Sequence, residues 1–215
     1  MDSKHKAQSN KSKAKKALRK EEREKNDRQW KLVEEANKLS DPLASFVSFQ
    51  KFEKDGMKFD LRCIKYDDLI KDVFQWTFDL TKANMLEMYE ASWGWSDKEK
   101  MKEMCDDRMW YLIAFDLDRP VAFCSFRFDL DFGEPVVYCY EIQLAKSVQN
   151  KGLGTFMMQI LQLVAMKNGM HKVVATVLDC NEQSRKFFME KLRYTVDDTN
   201  LSDECYTIVS KPVKK

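Results

Sequence analysis

Gln149-Asn150-Lys151-Gly152-Leu153-Gly154 stands between an apolar segment, Val136–Leu144, and an apolar helical pattern running from Leu153 to about Asn168. A glycine-bearing turn that opens a helix presents unpaired backbone N–H groups and the positive helix end. Its chemistry is anion binding, and a phosphate-bearing ligand is expected there. Two common phosphate loops do not fit. A Walker loop ends in Gly-Lys-Ser/Thr, whereas this turn reads Lys151-Gly152-Leu153-Gly154-Thr155. A dinucleotide fingerprint needs a third glycine where Met157 stands, and it belongs near the first strand.

Other reactive side chains are few. The chain has two histidines, His5 in a lysine-rich tail and His171 just past a helix end. The six cysteines are scattered without a C-x-x-C pair, several inside apolar strands, so zinc is not expected and the thiols read as small hydrophobes. Carboxylates and tyrosines remain. Glu141 lies in an otherwise apolar strand beside Tyr138 and Tyr140; it is either a satisfied structural carboxylate or a base. Asp129 and Asp131 are two apart, so they point the same way from the end of one strand.

The elements that must position these groups are legible in outline. Trp30, Val33, Ala36 and Leu39 recur at helical spacing, and Asp41-Pro42 ends that helix. The helix, expected over 29–40, should pack through Trp30. Met57, Phe59, Leu61 and Cys63 alternate with charged residues as a first strand. Asp67 to about Ala91 is helical, as one helix or two. An aromatic turn, Ser92-Trp93-Gly94-Trp95, leads into the capping box Ser96-Asp97-Lys98-Glu99. Strands follow at Met109–Phe115, Val121–Phe128 and Val136–Leu144, then the glycine turn and its helix, stopped by Gly169. His171–Leu178 is a strand, Asn181–Leu192 a helix, and Arg193–Val196 and Tyr206–Val209 close the sheet. Three antiparallel strands feeding a βαβ unit predict an α/β fold with a mixed, mostly antiparallel sheet flanked by helices.

Charge divides the chain. Residues 1–25 hold ten Lys/Arg against four Asp/Glu, so the overall +2 covers a basic, partly helical tail (1–28) and a mildly acidic body (29–210), with 211–215 as the C-terminal end. The tail reads as a solvated arm, a nuclear-localisation run or a nucleic-acid contact. No apolar run approaches the roughly 20 residues a membrane span needs. The polar start shows no signal peptide, and with unpaired cysteines the expected location is cytoplasmic and nuclear.

Gln149, Gly152 and Gly154 occupy the defined positions of the Q/R-x-x-G-x-G/A loop, and the chain resembles the GCN5-related N-acetyltransferases (GNAT) that carry it. Longer words sharpen the resemblance: Trp76-Thr77-Phe78-Asp79-Leu80-Thr81-Lys82, Trp93-Gly94-Trp95, Asp106-Asp107-Arg108, Phe126-Arg127-Phe128-Asp129 and Tyr138-Cys139-Tyr140-Glu141. They resemble the N-terminal acetyltransferase D branch, which acetylates histones whose tails begin Ser-Gly-Arg-Gly. The resemblance implies a GNAT fold, acetyl-CoA as cofactor and no metal. It places Ile142, Gln143, Leu144, Gln149, Asn150, Lys151, Gly152, Leu153, Gly154, Thr155 and Asn181 on coenzyme A. Tyr89, Trp93, Leu130, Tyr140, Thr176 and Tyr206 would surround the first substrate residues, and Asp129 and Asp131 would take the substrate arginine, whose fork a carboxylate pair suits. Trp93 is either a wall admitting small side chains or a core residue.

Acetyl transfer to an amine needs a neutral amine, a stabilised oxyanion and a proton for the departing thiolate. A peptide α-amine has pKa about 7.7–8.0 against about 10.4 for lysine, so an N-terminal substrate needs only a weak base. Glu141 is that base or positions a water. Many relatives in the superfamily use a Tyr as acid in the helix after Asn181, where this chain has Phe187-Phe188, leaving Tyr138 or Tyr140 as candidates. Alternation puts Tyr138 and Tyr140 on the face opposite Glu141, so all three share a cleft only if the strand bulges or splays near Glu141–Gln143. The expected partners are histone tails, with ribosome or nucleic acid possible for the arm, no membrane, and a monomer. The rival readings are a GNAT acting on lysine or a small amine, and a non-catalytic chromatin- or RNA-binding module.

Overall fold

The computed structural model describes residues 2–213, with side chains from residue 16 onward; the His5 side chain, residue 1 and residues 214–215 lie outside that description. The basic tail and the expected 29–40 helix are one continuous helix, α1 (Asp2–Asn37). The run holds Ala, Lys, Glu, Arg and Gln with no Gly or Pro, so nothing in it interrupts a helix. Its contact with the body is not the expected one. Trp30 is 42% exposed, while Val33 and Ala36 are buried and Asn37 Nδ2 donates to Phe128 O at 3.1 Å. The stripe was right, but the helix is rotated so that small residues meet the sheet and the indole faces solvent. Val33→Ala should therefore cost about 1–3 kcal/mol of stability in urea unfolding, and Trp30→Ala should cost less than 1 kcal/mol.

The strands are β1 (Lys51–Lys54), β2 (Met57–Lys65), β3 (Trp110–Asp116), β4 (Arg119–Asp131), β5 (Glu134–Leu144), β6 (Lys172–Leu178), β7 (Thr195–Val196) and β8 (Tyr206–Pro212). The helices after α1 are α2 (Lys71–Glu90), α3 (Asp97–Met104), α4 (Leu153–Lys167) and α5 (Glu182–Arg185), the last continuing as a π-helical turn over Lys186–Lys191. The sequence reading lacks β1, an edge strand joined to β2 through Asp55-Gly56, both at positive φ. The helical region after Asp67 is a short 3₁₀ turn and one helix. The capping box forms as expected, with Ser96 Oγ accepting from Glu99 N.

All eight strands lie in one sheet, ordered β1-β2-β3-β4-β5-β6-β8-β7. Only β5 and β6 are parallel; every other pair is antiparallel, so the mixed, mostly antiparallel α/β expectation holds. The central strand β3 is buried from Trp110 to Phe115 because helices cover both faces. The end of α1 and the apolar face of α4 pack on one side, with Leu153, Met157, Leu161 and Val164 fully buried. The other side packs through Phe78 of α2 and Met104 of α3 onto Tyr111, Ile113 and Phe123.

Two irregularities open the middle of this sheet. In the β4–β5 ladder Ser125 pairs with Glu141 and Phe126 with Cys139, so Tyr140 is an extra residue, a β-bulge. On its other side β5 pairs with β6 only from Val136 to Cys139, although β6 runs on to Leu178. The two parallel strands part there and leave a gap.

Candidate active site

The bulge changes which side chains meet. Above it, Tyr138 pairs with Arg127; below it, Glu141 pairs with Ser125 and Gln143 with Phe123. Arg127, Ser125 and Phe123 alternate along one face of β4, so Tyr138, Glu141 and Gln143 share that face. Tyr140 joins them, its ring 5.0 Å from Tyr138 and under the Arg127 guanidinium at 4.2 Å. The expected bulge is present, one residue earlier than anticipated, and it puts both tyrosines and the glutamate around one cleft. That cleft, about 380 Å³, follows the gap between β5 and β6 and is lined from one side by Tyr138–Gln143 and from the other by Ala175–Leu178 and Asn181.

Its floor is a buried charged network. Glu141 Oε1 accepts from Lys100 Nζ at 2.9 Å and Oε2 accepts from Gln143 Nε2 at 2.8 Å. Lys100 also donates to Tyr89 OH at 2.8 Å and to Glu103 at 2.9 Å. Lys100 and Glu141 are only 6% and 5% exposed. Burial pulls the Lys100 ammonium toward neutrality, but Glu141, then Glu103 and Tyr89, outweigh it and hold its pKa above the ordinary value. Burial, reinforced by the Glu141 charge, keeps the Tyr89 phenol protonated well above its usual range. The sequence reading did not find Lys100. A weak signal existed: it shares a helix face with buried Met104, one turn on, where an apolar residue is expected.

Trp93 is not a core residue. It is 48% exposed and bridges Tyr89 and Tyr206, ring centroids 5.6 and 5.5 Å away, forming an aromatic wall over the cleft. Tyr138 OH and Thr176 Oγ1 are hydrogen-bonded at 2.7 Å across the β5–β6 split, and burial raises the Tyr138 pKa against that bond.

Other expected residues are placed differently. The Leu130 side chain packs on the hydrophobic core of the opposite face, so at most its backbone can face a substrate. The Gln143 side chain is committed to Glu141 and to Asn84 Nδ2 at 3.0 Å, which leaves only its backbone for a cofactor. Asp129 is already ion-paired, with Arg127 at 3.3 Å and Arg108 at 3.8 Å, and Asp106 bridges the same two arginines. Asp131 has no ion pair within 4 Å among the described residues, and burial raises its pKa against the pull of Lys172. The two aspartates therefore do not form a free pair.

The glycine turn lies beyond the far end of β5. Gly152 is the residue before α4, at φ +96°, and Asn150 is at φ +58°. The first backbone hydrogen bond of α4 runs from Phe156 N to Gly152 O, so the N–H groups of Leu153, Gly154 and Thr155 have no acceptor within the helix. Gln149 Nε2 donates to Leu144 O at 3.0 Å and so ties the turn to the end of the open strand. The Thr155 hydroxyl is buried without a partner in the protein. A Cβ at residue 152 would come within 3.3 Å of Lys54 Nζ, which reaches over from the β1–β2 hairpin. Asn181 Oδ1 caps α5 through Ser184 N at 2.9 Å while its residue lines the cleft. Helix N–H groups without an intrahelical acceptor, an unpartnered hydroxyl and a lysine fit the pyrophosphate end of coenzyme A. The unpaired edge of β5 fits its pantetheine arm, which carries amides.

Residues 73–194 match the acetyltransferase (GNAT) family. The chain belongs to that family. Its architecture is shared by the GNAT domain of PAT from S. lividans (14% identity, TM-score 0.57, 76% of this chain and 97% of that one). It is also shared by PaiA N-acetyltransferase from Thermoplasma acidophilum, solved with coenzyme A (15%, TM-score 0.54, 73% and 99%). A third is Arabidopsis thaliana Naa50, solved with the bisubstrate analogue CoA-Ac-MVNAL (16%, TM-score 0.50, 70% and 97%). This GNAT protein is an acetyltransferase with acetyl-CoA as donor. Acetyl-CoA held along the β5–β6 gap would supply the acetyl group and a thiolate leaving group. Among the described residues no group of three or more His, Cys, Asp or Glu is placed to hold a metal ion, and no helix is long and apolar enough to cross a membrane.

Proposed function

We propose that this acetyltransferase modifies the N-terminal α-amine of histone-type tails beginning Ser-Gly-Arg-Gly. The observation that carries the reading is the bulged β5, which gathers Tyr138, Tyr140 and Glu141 around one cleft under the Trp93 wall. Glu141 takes the proton from an amine that is already partly neutral at physiological pH. The Tyr89–Trp93–Tyr206 wall leaves room for a small first residue and crowds a large one. Tyr138, linked to Thr176, is the better placed of the two acid candidates, because Tyr140 is stacked beneath Arg127. Asp131 receives the substrate arginine, with Asp129 holding the local arrangement of Arg127 and Arg108.

The resemblance of the Trp93, Asp129 and Tyr138–Glu141 segments to the acetyltransferase D branch supports the same substrate. The reading carries with it a monomer working in the cytoplasm and nucleus, where histones are made and used. The basic α1 then remains available to the ribosome or nucleic acid. Ser-Gly-Arg-Gly peptides with free and blocked N-termini test the substrate assignment: acetylation should require the free terminus, and equal rates on both would overturn it.

The glycine turn gives a separate expectation. Gly152→Ala forces a side chain into left-handed backbone, at about 1–2 kcal/mol, and crowds Lys54. Acetyl-CoA should bind about 5- to 30-fold more weakly in calorimetry, with Lys54→Ala giving a smaller loss of the same sign.

A further inference from the structure

The Lys100 ammonium is buried against the one carboxylate that the reading above makes a base. It is fixed from every side. Within α3 it holds Glu103; from α2 it holds Tyr89 OH; from β5 it holds Glu141. Tyr111 of β3 also faces this cluster, its hydroxyl bound to Met104 O at 2.7 Å, and Tyr140 closes it from the bulge. The Lys100 charge also lies over the Tyr89 ring at 4.8 Å. With Gln143 on Oε2 and Lys100 on Oε1, the Glu141 carboxylate cannot rotate without breaking a bond at each oxygen. Lys100 itself lines the cleft, so its charge is felt where the acceptor amine must sit.

We propose that Lys100 is a positioning residue for deprotonation of the acceptor amine, acting through Glu141. This rests on Glu141 being the base. Two physical consequences follow from its place. A carboxylate buried alone would take up a proton near neutral pH, whereas an adjacent ammonium keeps it charged and able to accept one. The same positive charge offsets that of Glu141, so the site holds an incoming ammonium less tightly than an unpaired carboxylate would. The proton balance is simple: the substrate ammonium gives one proton to Glu141, directly or through a bound water, and Glu141 returns it to solvent. A lysine side chain, with pKa about 10.4, loses far more than a terminal amine from this arrangement, which gives Lys100 a share in acceptor choice.

The test is the pH dependence of kcat/KM on a Ser-Gly-Arg-Gly peptide with a free N-terminus. In the parent, log kcat/KM should fall with a slope of one below the α-amine pKa of about 7.7–8.0. In Lys100→Met the slope should steepen to two between about pH 5 and 7, as a second group must now ionise. Activity at pH 6 should then fall at least tenfold relative to the parent, and much less at pH 8.5. Lys100→Arg should restore the slope of one. Because Lys100→Met leaves Glu141 buried without its partner and costs stability, the double variant Glu141→Gln/Lys100→Met gives an independent readout. If Lys100 acts through Glu141, the double variant is no slower than Glu141→Gln alone. A slope of one in Lys100→Met, or fully multiplicative losses in the double variant, would overturn the proposal while leaving Glu141 as base. Parent-like rates in Glu141→Gln would overturn the base assignment itself.

Discussion

Glu141→Gln should lower kcat by about 10²- to 10⁴-fold, the range expected for loss of a positioned base. Calorimetry should find the acetyl-CoA affinity changed less than about threefold, because the Glu141 side chain bonds Lys100 and Gln143, whereas the turn proposed to hold the phosphates is a separate segment beyond Leu144. The substitution keeps the shape of the side chain, and an amide can still bond Gln143. It removes the charge that faces Lys100. Breaking a buried ion pair by deleting one partner commonly costs about 3–5 kcal/mol, but Glu103 stays 2.9 Å from the same ammonium. A loss nearer 1–3 kcal/mol is therefore expected in denaturant unfolding. Activity and stability thus fall by separable amounts, and a kcat within tenfold of the parent would remove Glu141 from the mechanism.

Asp131→Ala should raise KM for a Ser-Gly-Arg-Gly peptide by about 10- to 150-fold, equivalent to the 1.5–3 kcal/mol typical of a hydrogen bond to a charged group. The change in kcat should be small, because the arginine sits two residues from the reacting amine. A peptide with Gln in place of Arg should bind the parent and the variant alike, and that double-mutant cycle isolates the contact. Asp129→Ala should behave differently. Asp129 pairs with Arg127 and Arg108, and Arg127 stacks on Tyr140. Its removal should lower stability and kcat together rather than KM alone. If the two variants proved indistinguishable, the division of labour drawn from the ion pairs would be wrong.

What was legible in the sequence was local. Gln149–Gly154 is read from its own residues and flanks, and Gly152 does adopt the left-handed backbone that such a turn requires. The β5 bulge was legible once the family resemblance placed Tyr138, Tyr140 and Glu141 in one cleft, because strict alternation cannot put all three on one face. Lys100 was not, since its meaning depends on a partner 41 residues away that the fold brings to 2.9 Å. The pairing of Asp129 was half legible. Arg127, two residues earlier on the same strand, had to share its face, whereas Asp106 and Arg108 reach it only through the tertiary fold. Trp30 shows the limit of periodicity: spacing finds a stripe, but not which of its residues is buried, and here Val33 and Ala36 are while Trp30 is not. The strand β1 escaped because Lys51-Phe52-Glu53-Lys54 offers one apolar residue, as an edge strand can.

The most direct test of the central claim is acetylation of a peptide panel with the acetyl group located by mass spectrometry. The panel should contain Ser-Gly-Arg-Gly with a free terminus, the same sequence blocked, variants with a bulky first residue, and lysine-bearing peptides with blocked termini. A label confined to the α-amine of the small, arginine-containing peptides is the predicted result. Acetyl groups on lysine side chains, or equal labelling of blocked and free peptides, would contradict it.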